Sequence, residues 1–332
     1  MSSNKMKQTI SENTVSEIFE KHSLGEIAEI KEMSGGYFNS VLKVETVTGD
    51  KYIIKIAPGA KTEVLTYEQD LIKSEVYIYS LLESVTSVHF PEVYACNYEG
   101  GAPYKYSIME FLEGEMLNRI KLPSEQYKSV MHDLGKAMAE IHTITGKDGF
   151  GYTQNGLKPT WKEAYLSMVE NVTADGKRKN ARIPYLKTIK EIIRKNECVL
   201  DTVKTPSLIH FDLWAGNIMI KDGRLYGLID CERAMFGDIM GEFISLDFAS
   251  PFDLEKHKEL IDGYNSFAKE KINFGRDEFI RLYLMKIYLG MIAYVEQYYR
   301  STRLSATFYS ARHFAKSGLK CAINELKKLN AI

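Results

Sequence analysis

The chain has 332 residues, 45% of them hydrophobic and 26% charged, with a formal net charge of −1 at pH 7. These ordinary globular values exclude a disordered chain and a coiled coil, and the near-neutral balance gives no global pull toward nucleic acid or an anionic membrane. The length suits two lobes with separate cores or one large domain, since a single core stops growing near about 250 to 300 residues. Cys96, Cys198, Cys231 and Cys321 are scattered, with no C-x-x-C pair and no His cluster of zinc type, which reads as reduced cytosolic thiols. The opening MSSNKMKQTISENT has no apolar segment of signal-peptide kind, and no run approaches the roughly 18 apolar residues of a membrane span. A cytoplasmic, soluble protein is expected, with no partner named by the composition and its oligomeric state open.

Thr14 and Glu17 form a capping-box pattern before Val15, Ile18, Phe19 and His22, which predicts a short first helix. MSGGYFNSVLKV (33–44) is a small-residue turn entering a strand. VLKVETV (41–47) and KYIIKIA (51–57), separated by Thr48-Gly49-Asp50, read as a hairpin. Ile72, Val76, Tyr79 and Leu82 mark one face of a helix within residues 68–83, and EVYAC (92–96) and KYSIMEFL (105–112) read as strands. After Gly114 the pattern turns helical. Tyr127, Val130, Leu134, Met138 and Ile141 share a face, Trp161 and Tyr165 stand four apart as core residues, and residues 277–300 form a long, largely buried helix. DGKRKN (175–180) reads as a solvated loop. Strands first and helices later predict an α+β protein of two lobes, a β-rich one over residues 1–110 and a mainly helical one over 111–332.

The chemistry concentrates in LIHFDLWAGN (208–217), where a His, an Asp and an Asn follow an apolar run. Each could be a turn cap or a strand end. A second apolar strand, however, ends in Asp230 thirteen residues after Asn217, and Lys221-Asp222-Gly223 joins the two strands as a hairpin. That pairing puts Asn217 and Asp230 at neighbouring strand ends, as hard oxygen ligands suited to Mg²⁺ with bound phosphates. Asp212, with no basic neighbour in sequence, is free to accept a proton. In KYIIKIA the Lys55 ammonium emerges from an apolar strand face and needs a partner. Glu75, flanking the apolar stripe of the next helix, supplies one and would hold Lys55 against phosphate. Gly35 and Gly36 let backbone N–H groups approach an anion, and the hydroxyls of Ser34 and Ser40 add donors, though a plain hairpin turn has the same composition.

The order of these features resembles the kinase-like fold and, within it, the aminoglycoside phosphotransferase and choline kinase family, from about residue 30 to about residue 300. The family's H-x-D-x-x-x-x-N loop matches His210, Asp212 and Asn217, its I-D matches Ile229 and Asp230, and its strand Lys and helix Glu match Lys55 and Glu75. Its inter-lobe hinge matches residues 108–112. The resemblance implies that the Glu110 carbonyl and the Leu112 amide pair with adenine. Phe211 stands where protein kinases carry the Arg of H-R-D, Cys231-Glu232 follows Asp230 in place of Phe-Gly, and no A-P-E follows, all of which argue against a protein kinase. The Phe211 side chain is expected to point into the core.

Together these features predict an ATP- and Mg²⁺-dependent small-molecule kinase with Asp212 as the catalytic base, Asn217 and Asp230 as metal ligands, and Lys55, held by Glu75, on the α- and β-phosphates. The resemblance favours an aminoglycoside or related antibiotic as acceptor, with Glu242, Asp247, Asp253 and Glu296 available to a polycation. The rivals are a metabolite kinase for a sugar, a fructosamine or an amino alcohol, and a non-catalytic nucleotide-binding regulator. His142 reads as a support for the catalytic loop or a satisfied core His. Asp238 reads as a structural acceptor for that loop's backbone.

Overall fold

The computed structural model describes residues 6–33, 38–99, 103–303 and 305–331. Helix α1 (Glu12–Lys21) is capped by Ser11, whose Oγ accepts from the Thr14 amide at 3.1 Å. The cap therefore sits three residues before the Thr14 expected from sequence, because the Ser11 hydroxyl reaches the amide that Thr14 itself carries. Strands β1 (Ile27–Glu32), β2 (Ser40–Thr46), β3 (Lys51–Ile56), β4 (Val93–Asn97) and β5 (Tyr106–Glu110) form an antiparallel sheet in the order β1-β2-β3-β5-β4. Polar IAEIKE gives little strand signal because β1 is an edge strand with no residue fully buried. One sheet face packs Leu42, Val44, Ile54, Ile56, Tyr106 and Ile108 onto Val15, Ile18 and Phe19 of α1. Helix α2 (Leu71–Leu82) buries Ile72, Glu75, Ile78, Tyr79 and Leu82.

Beyond Glu110 the chain passes through the short strand β6 (Glu115–Met116) into α3 (Ser124–Ile141) and α4 (Trp161–Arg178), then α5 (Leu186–Lys195) and α6 (Glu197–Leu200). The segment 175–178 belongs to the last turns of α4, and Asp175 is only 1% exposed. The polar run predicts a solvated loop, yet tertiary contacts bury this carboxylate. Strand β7 (Ser207–Ile209) pairs with β10 (Met235–Gly237), and β8 (Ile218–Lys221) with β9 (Arg224–Leu228) and β6. The hairpin predicted around Lys221-Asp222-Gly223 is present.

Helices α7 (Lys258–Phe267), α8 (Arg276–Val295), α9 (Gln297–Arg300) and α10 (Ala306–Lys328) complete the larger lobe. Helices α3 and α7 touch backbone to backbone, since a Cβ at Gly135 would lie 2.0 Å from the Leu260 carbonyl oxygen and one at Gly263 1.9 Å from that of His132. Helix α8 is apolar nearly all round and buried, as its sequence predicts, and the chain turns at Glu296 to begin α9. Trp161 and Tyr165 are core residues with 0% exposure. The architecture is thus a small antiparallel-sheet lobe and a larger helical lobe. Among the described residues no helix is long and apolar enough to cross a membrane. The four cysteines are free thiols.

Candidate active site

Lys55 sits on β3 opposite Ser107 of β5, with its ammonium turned toward α2. Its Nζ donates to Glu75 Oε1 at 2.6 Å and to Asp230 Oδ1 at 2.8 Å. The sheet lobe and the end of β9 thereby meet at a single cation. Burial alone would lower the Lys55 pKa, but Asp230 and Glu75 overcome it and hold the ammonium well above its ordinary value. Burial likewise opposes the Asp230 charge, yet Lys55 wins and keeps that carboxyl below its ordinary range. The Asp230 amide donates to Tyr79 Oη at 3.2 Å, and its φ of 68° is a left-handed conformation uncommon for a side-chain-bearing residue. The expected Lys55–Glu75 pair is present, and the direct contact to Asp230 is added to it.

The loop after β7 is held from behind. The His210 and Phe211 amides donate to Glu242 Oε2 and Oε1 at 2.7 and 2.8 Å. His142 reaches Glu242 Oε2 at 3.3 Å and Tyr264 Oη at 2.8 Å, so it supports the loop through a carboxylate. Burial works to raise the Glu242 pKa, but the hydrogen bond and charge of His142 hold it below the ordinary value. The Phe211 side chain is fully buried and stacks on Tyr288, as expected, while its backbone takes φ 65°. That bend carries the chain from the core to Asp212. His210 Nε2 donates to the Ile229 carbonyl at 3.0 Å, which leaves Nδ1 to accept from the Asp212 amide at 3.4 Å. Burial raises the Asp212 pKa and the Arg233 charge draws it back.

Asn217 Nδ2 donates to the Asp212 carbonyl at 2.9 Å, and among the described residues no hydrogen bond to its amide oxygen is present. The Ile229 amide donates to the Asn217 carbonyl at 3.1 Å and ties the two strand ends together. The Asn217 amide oxygen and the second carboxylate oxygen of Asp230 are the oxygen donors here. Among the described residues no group of three His, Cys, Asp or Glu has a metal-holding arrangement, so phosphate and water would have to complete any coordination shell. Glu110 ends β5 with its side chain bonded to His89 at 2.7 Å. Among the described residues the Leu112 amide has no backbone partner, which suits a donor to a planar ring. Ser34, Gly35 and Gly36 lie outside the described residues. Ser40 Oγ donates to the Gln8 carbonyl at 2.9 Å, within the small lobe.

Several participants escape a sequence reading. Glu242, and not Asp238, accepts from the loop backbone. Asp238 caps the Met240 amide at 3.1 Å and pairs with Arg281. Glu232, two residues past Asp230, accepts from Asn39 at 3.2 Å, and burial next to Asp230 pushes its carboxyl up to about 8. Arg233 pairs with Glu296 at 3.0 Å, and its charge opposes the rise of the Asp212 pKa. A D-x-E-R pattern after an apolar strand was the available signal. Trp214 is 44% exposed two residues from Asp212, with its ring over Gly216, where a Cβ would come within 2.3 Å of the indole. Of the acidic residues offered to a polycation, Glu242 holds the loop, Asp247 pairs with Lys256 and His257, and Glu296 pairs with Arg233 and Arg300. Asp253 accepts from the Glu255 and Lys256 amides.

Comparisons with known proteins bear on this arrangement. Residues 29–275 match the family model described as the phosphotransferase enzyme family. A Staphylococcus aureus protein described as a probable ketoamine kinase is 25% identical over 295 residues, covering 80% of this chain and 88% of that protein. Among solved structures, the aminoglycoside phosphotransferase APH(4)-Ia in ternary complex with AMP-PNP and hygromycin B superposes with a TM-score of 0.65 at 17% identity, covering 94% of this chain and 98% of that one. A Haemophilus somnus protein described as a candidate fructosamine-3-kinase gives 0.63 at 16% identity, covering 92% and 96%. These likenesses establish the kinase-like fold.

Proposed function

The chain belongs to the phosphotransferase enzyme family, and from that premise we propose that it is an ATP-dependent kinase whose acceptor is the hydroxyl of a ketoamine sugar. The observation that carries the phosphotransfer reading is the meeting of Lys55, Glu75 and Asp230 at one cation, beside the loop that carries Asp212 and Asn217. Residues 1–110 form the nucleotide lobe in this reading, with adenine against Glu110 and Leu112, and residues 111–332 carry the catalytic loop and the acceptor. Lys55 orients the α- and β-phosphates. Asn217 and Asp230 would hold Mg²⁺, which neutralises phosphate charge. The acceptor oxygen attacks the γ-phosphorus, the bond from that phosphorus to the β–γ bridging oxygen breaks, ADP leaves with the electron pair, and the hydroxyl proton passes to an Asp212 carboxylate oxygen. Glu242 keeps the loop from retreating as the charge moves.

Two observations favour the ketoamine over the aminoglycoside. The carboxylates that a polycation would need are mostly engaged inside the protein. The exposed Trp214 ring offers an apolar face to a sugar beside Asp212. The ketoamine kinase relative, alignable over 80% of the chain, supports the same acceptor. Measuring ADP release with an N-substituted 1-amino-1-deoxyfructose and with a panel of aminoglycosides tests this choice. Turnover with the ketoamine and none with the panel is expected, and the reverse pattern sinks the assignment.

A further inference from the structure

The connection between β3 and α2 reaches across to α4 of the helical lobe. The Thr66 amide and hydroxyl both donate to the buried Asp175 carboxylate of α4, each at 2.7 Å. Asn155 donates to the Thr66 carbonyl at 2.8 Å and Gln154 to the Tyr67 carbonyl at 2.7 Å. Beyond these bonds runs a chain of ion pairs. Glu68 pairs with Arg300, Arg300 Nη1 lies 3.1 Å from Glu296 Oε2, and Arg233 Nη2 lies 3.0 Å from the same oxygen. The Arg233 guanidinium stands 6.0 Å from the centre of the Tyr67 ring. Glu68, Glu296 and Arg300 are 2%, 7% and 6% exposed.

Stability explains this array poorly. A buried ion pair recovers little more than its desolvation cost, and apolar residues of similar volume often serve as well or better. The array has a different distinction, which is where it ends. It ends at Arg233, in the short turn that follows Asp230, where Tyr67 and Glu296 flank the guanidinium, and the Arg233 charge draws on Asp212. We propose that residues 62–68 act as a positioning strap, in which Tyr67 directly and Glu68 through Arg300 and Glu296 fix the Arg233 guanidinium in the turn that follows Asp230, so that alignment of the small lobe is coupled to the side of the site that carries Asp230 and Asp212. Glu68 and Arg300 are accordingly positioning residues for the transfer. The inference rests on the reading of Asp212 as the base.

The test uses the full chain, with phosphate release from ATP followed both with an N-substituted 1-amino-1-deoxyfructose and with water alone as acceptor. The double variant Glu68→Gln/Arg300→Met removes both charges of one pair and so leaves no uncompensated buried ion between them. Its kcat should fall about tenfold with the KM for ATP within about twofold, because a small misplacement near the reacting groups slows the chemical step while the Lys55 and hinge contacts persist. Arg300→Lys should recover most of the rate. Adding Arg233→Lys to the double variant should cost little more, since both changes act along one chain. Thr66→Val, which loosens the strap without touching the ion chain, should lower kcat about threefold at unchanged KM for ATP. An undiminished kcat in either strap variant, a parallel rise in the KM for ATP, or losses that multiply with Arg233→Lys overturn the strap. Full turnover by Asp212→Asn instead overturns the base assignment, and the inference falls with it.

Discussion

Asp212 and Glu242 act on the two sides of one loop, and substitutions at each should move different measurements. Asp212→Asn is nearly isosteric and keeps the Asn217 bond to the 212 carbonyl, so the melting temperature and ATP affinity should hold while turnover falls about 10² to 10⁴-fold, the contribution of a positioned general base. Unchanged single-turnover rates in that variant would reduce the residue to a turn cap. Glu242→Gln should do the opposite, placing an amide N–H against the His210 or Phe211 N–H and lowering stability by about 1.5–3 kcal/mol. Its pH signature follows from the sign of its shift. The folded pKa of Glu242 lies below the ordinary 4.5, so its contribution is complete above 4.5 and is lost as pH falls through the lowered value. Denaturant titrations at stepped pH should show wild type converging on Glu242→Gln in that acidic window. A constant difference between them would place the stabilisation elsewhere.

At the level of elements, β3 and α2 are joined by the Lys55–Glu75 ion pair. Lys55→Met keeps the apolar stem and removes a buried charge that both Glu75 and Asp230 face. Transfer should be abolished, and the loss of both pairings should also cost stability, because two carboxylates then lie buried with less compensation. Glu75→Gln should be milder, since Asp230 still holds the ammonium, and binding of a fluorescent ATP analogue should weaken more in Lys55→Met than in Glu75→Gln. The reverse ranking would mean that Glu75 contributes something other than Lys55 alignment. Helix α1, in contrast, only backs the sheet. Ser11→Ala removes the cap from the Thr14 amide and should lower stability by about 1 kcal/mol with kcat unchanged.

Across the whole molecule, the lobes are joined at two places. At the first the His89 amide donates to the Tyr226 carbonyl at 3.0 Å and the Leu228 amide donates to the His89 carbonyl at 3.0 Å. At the second stand the Thr66 bonds to Asp175 and the buried ion chain. Joined in this way, the lobes should unfold in one calorimetric transition, although chains of this length often separate into several. Asp175→Asn, which weakens the second, should lower the melting temperature and broaden or split that transition. Two transitions already present in wild type would show that the lobes are energetically independent.

The sequence by itself determined what local spacing can carry. Strand alternation, the apolar run of α8, the hairpin joining Asn217 to Asp230, and the Lys55 and Glu75 positions follow from neighbours along the chain, because helix and strand periods place those side chains before any lobe packs. Glu242, Asp175 and the Glu68–Arg300 pair were not legible, since their partners lie 31, 109 and 232 residues away. A buried carboxylate and a solvated one have the same letter in sequence. Only the tertiary structure decides which of them is stripped of water and must take a backbone amide or a guanidinium as its partner, and that desolvation turned 175–178 from an expected loop into a fastening and Glu296 from a candidate polycation contact into a link in the ion chain that ends at Arg233.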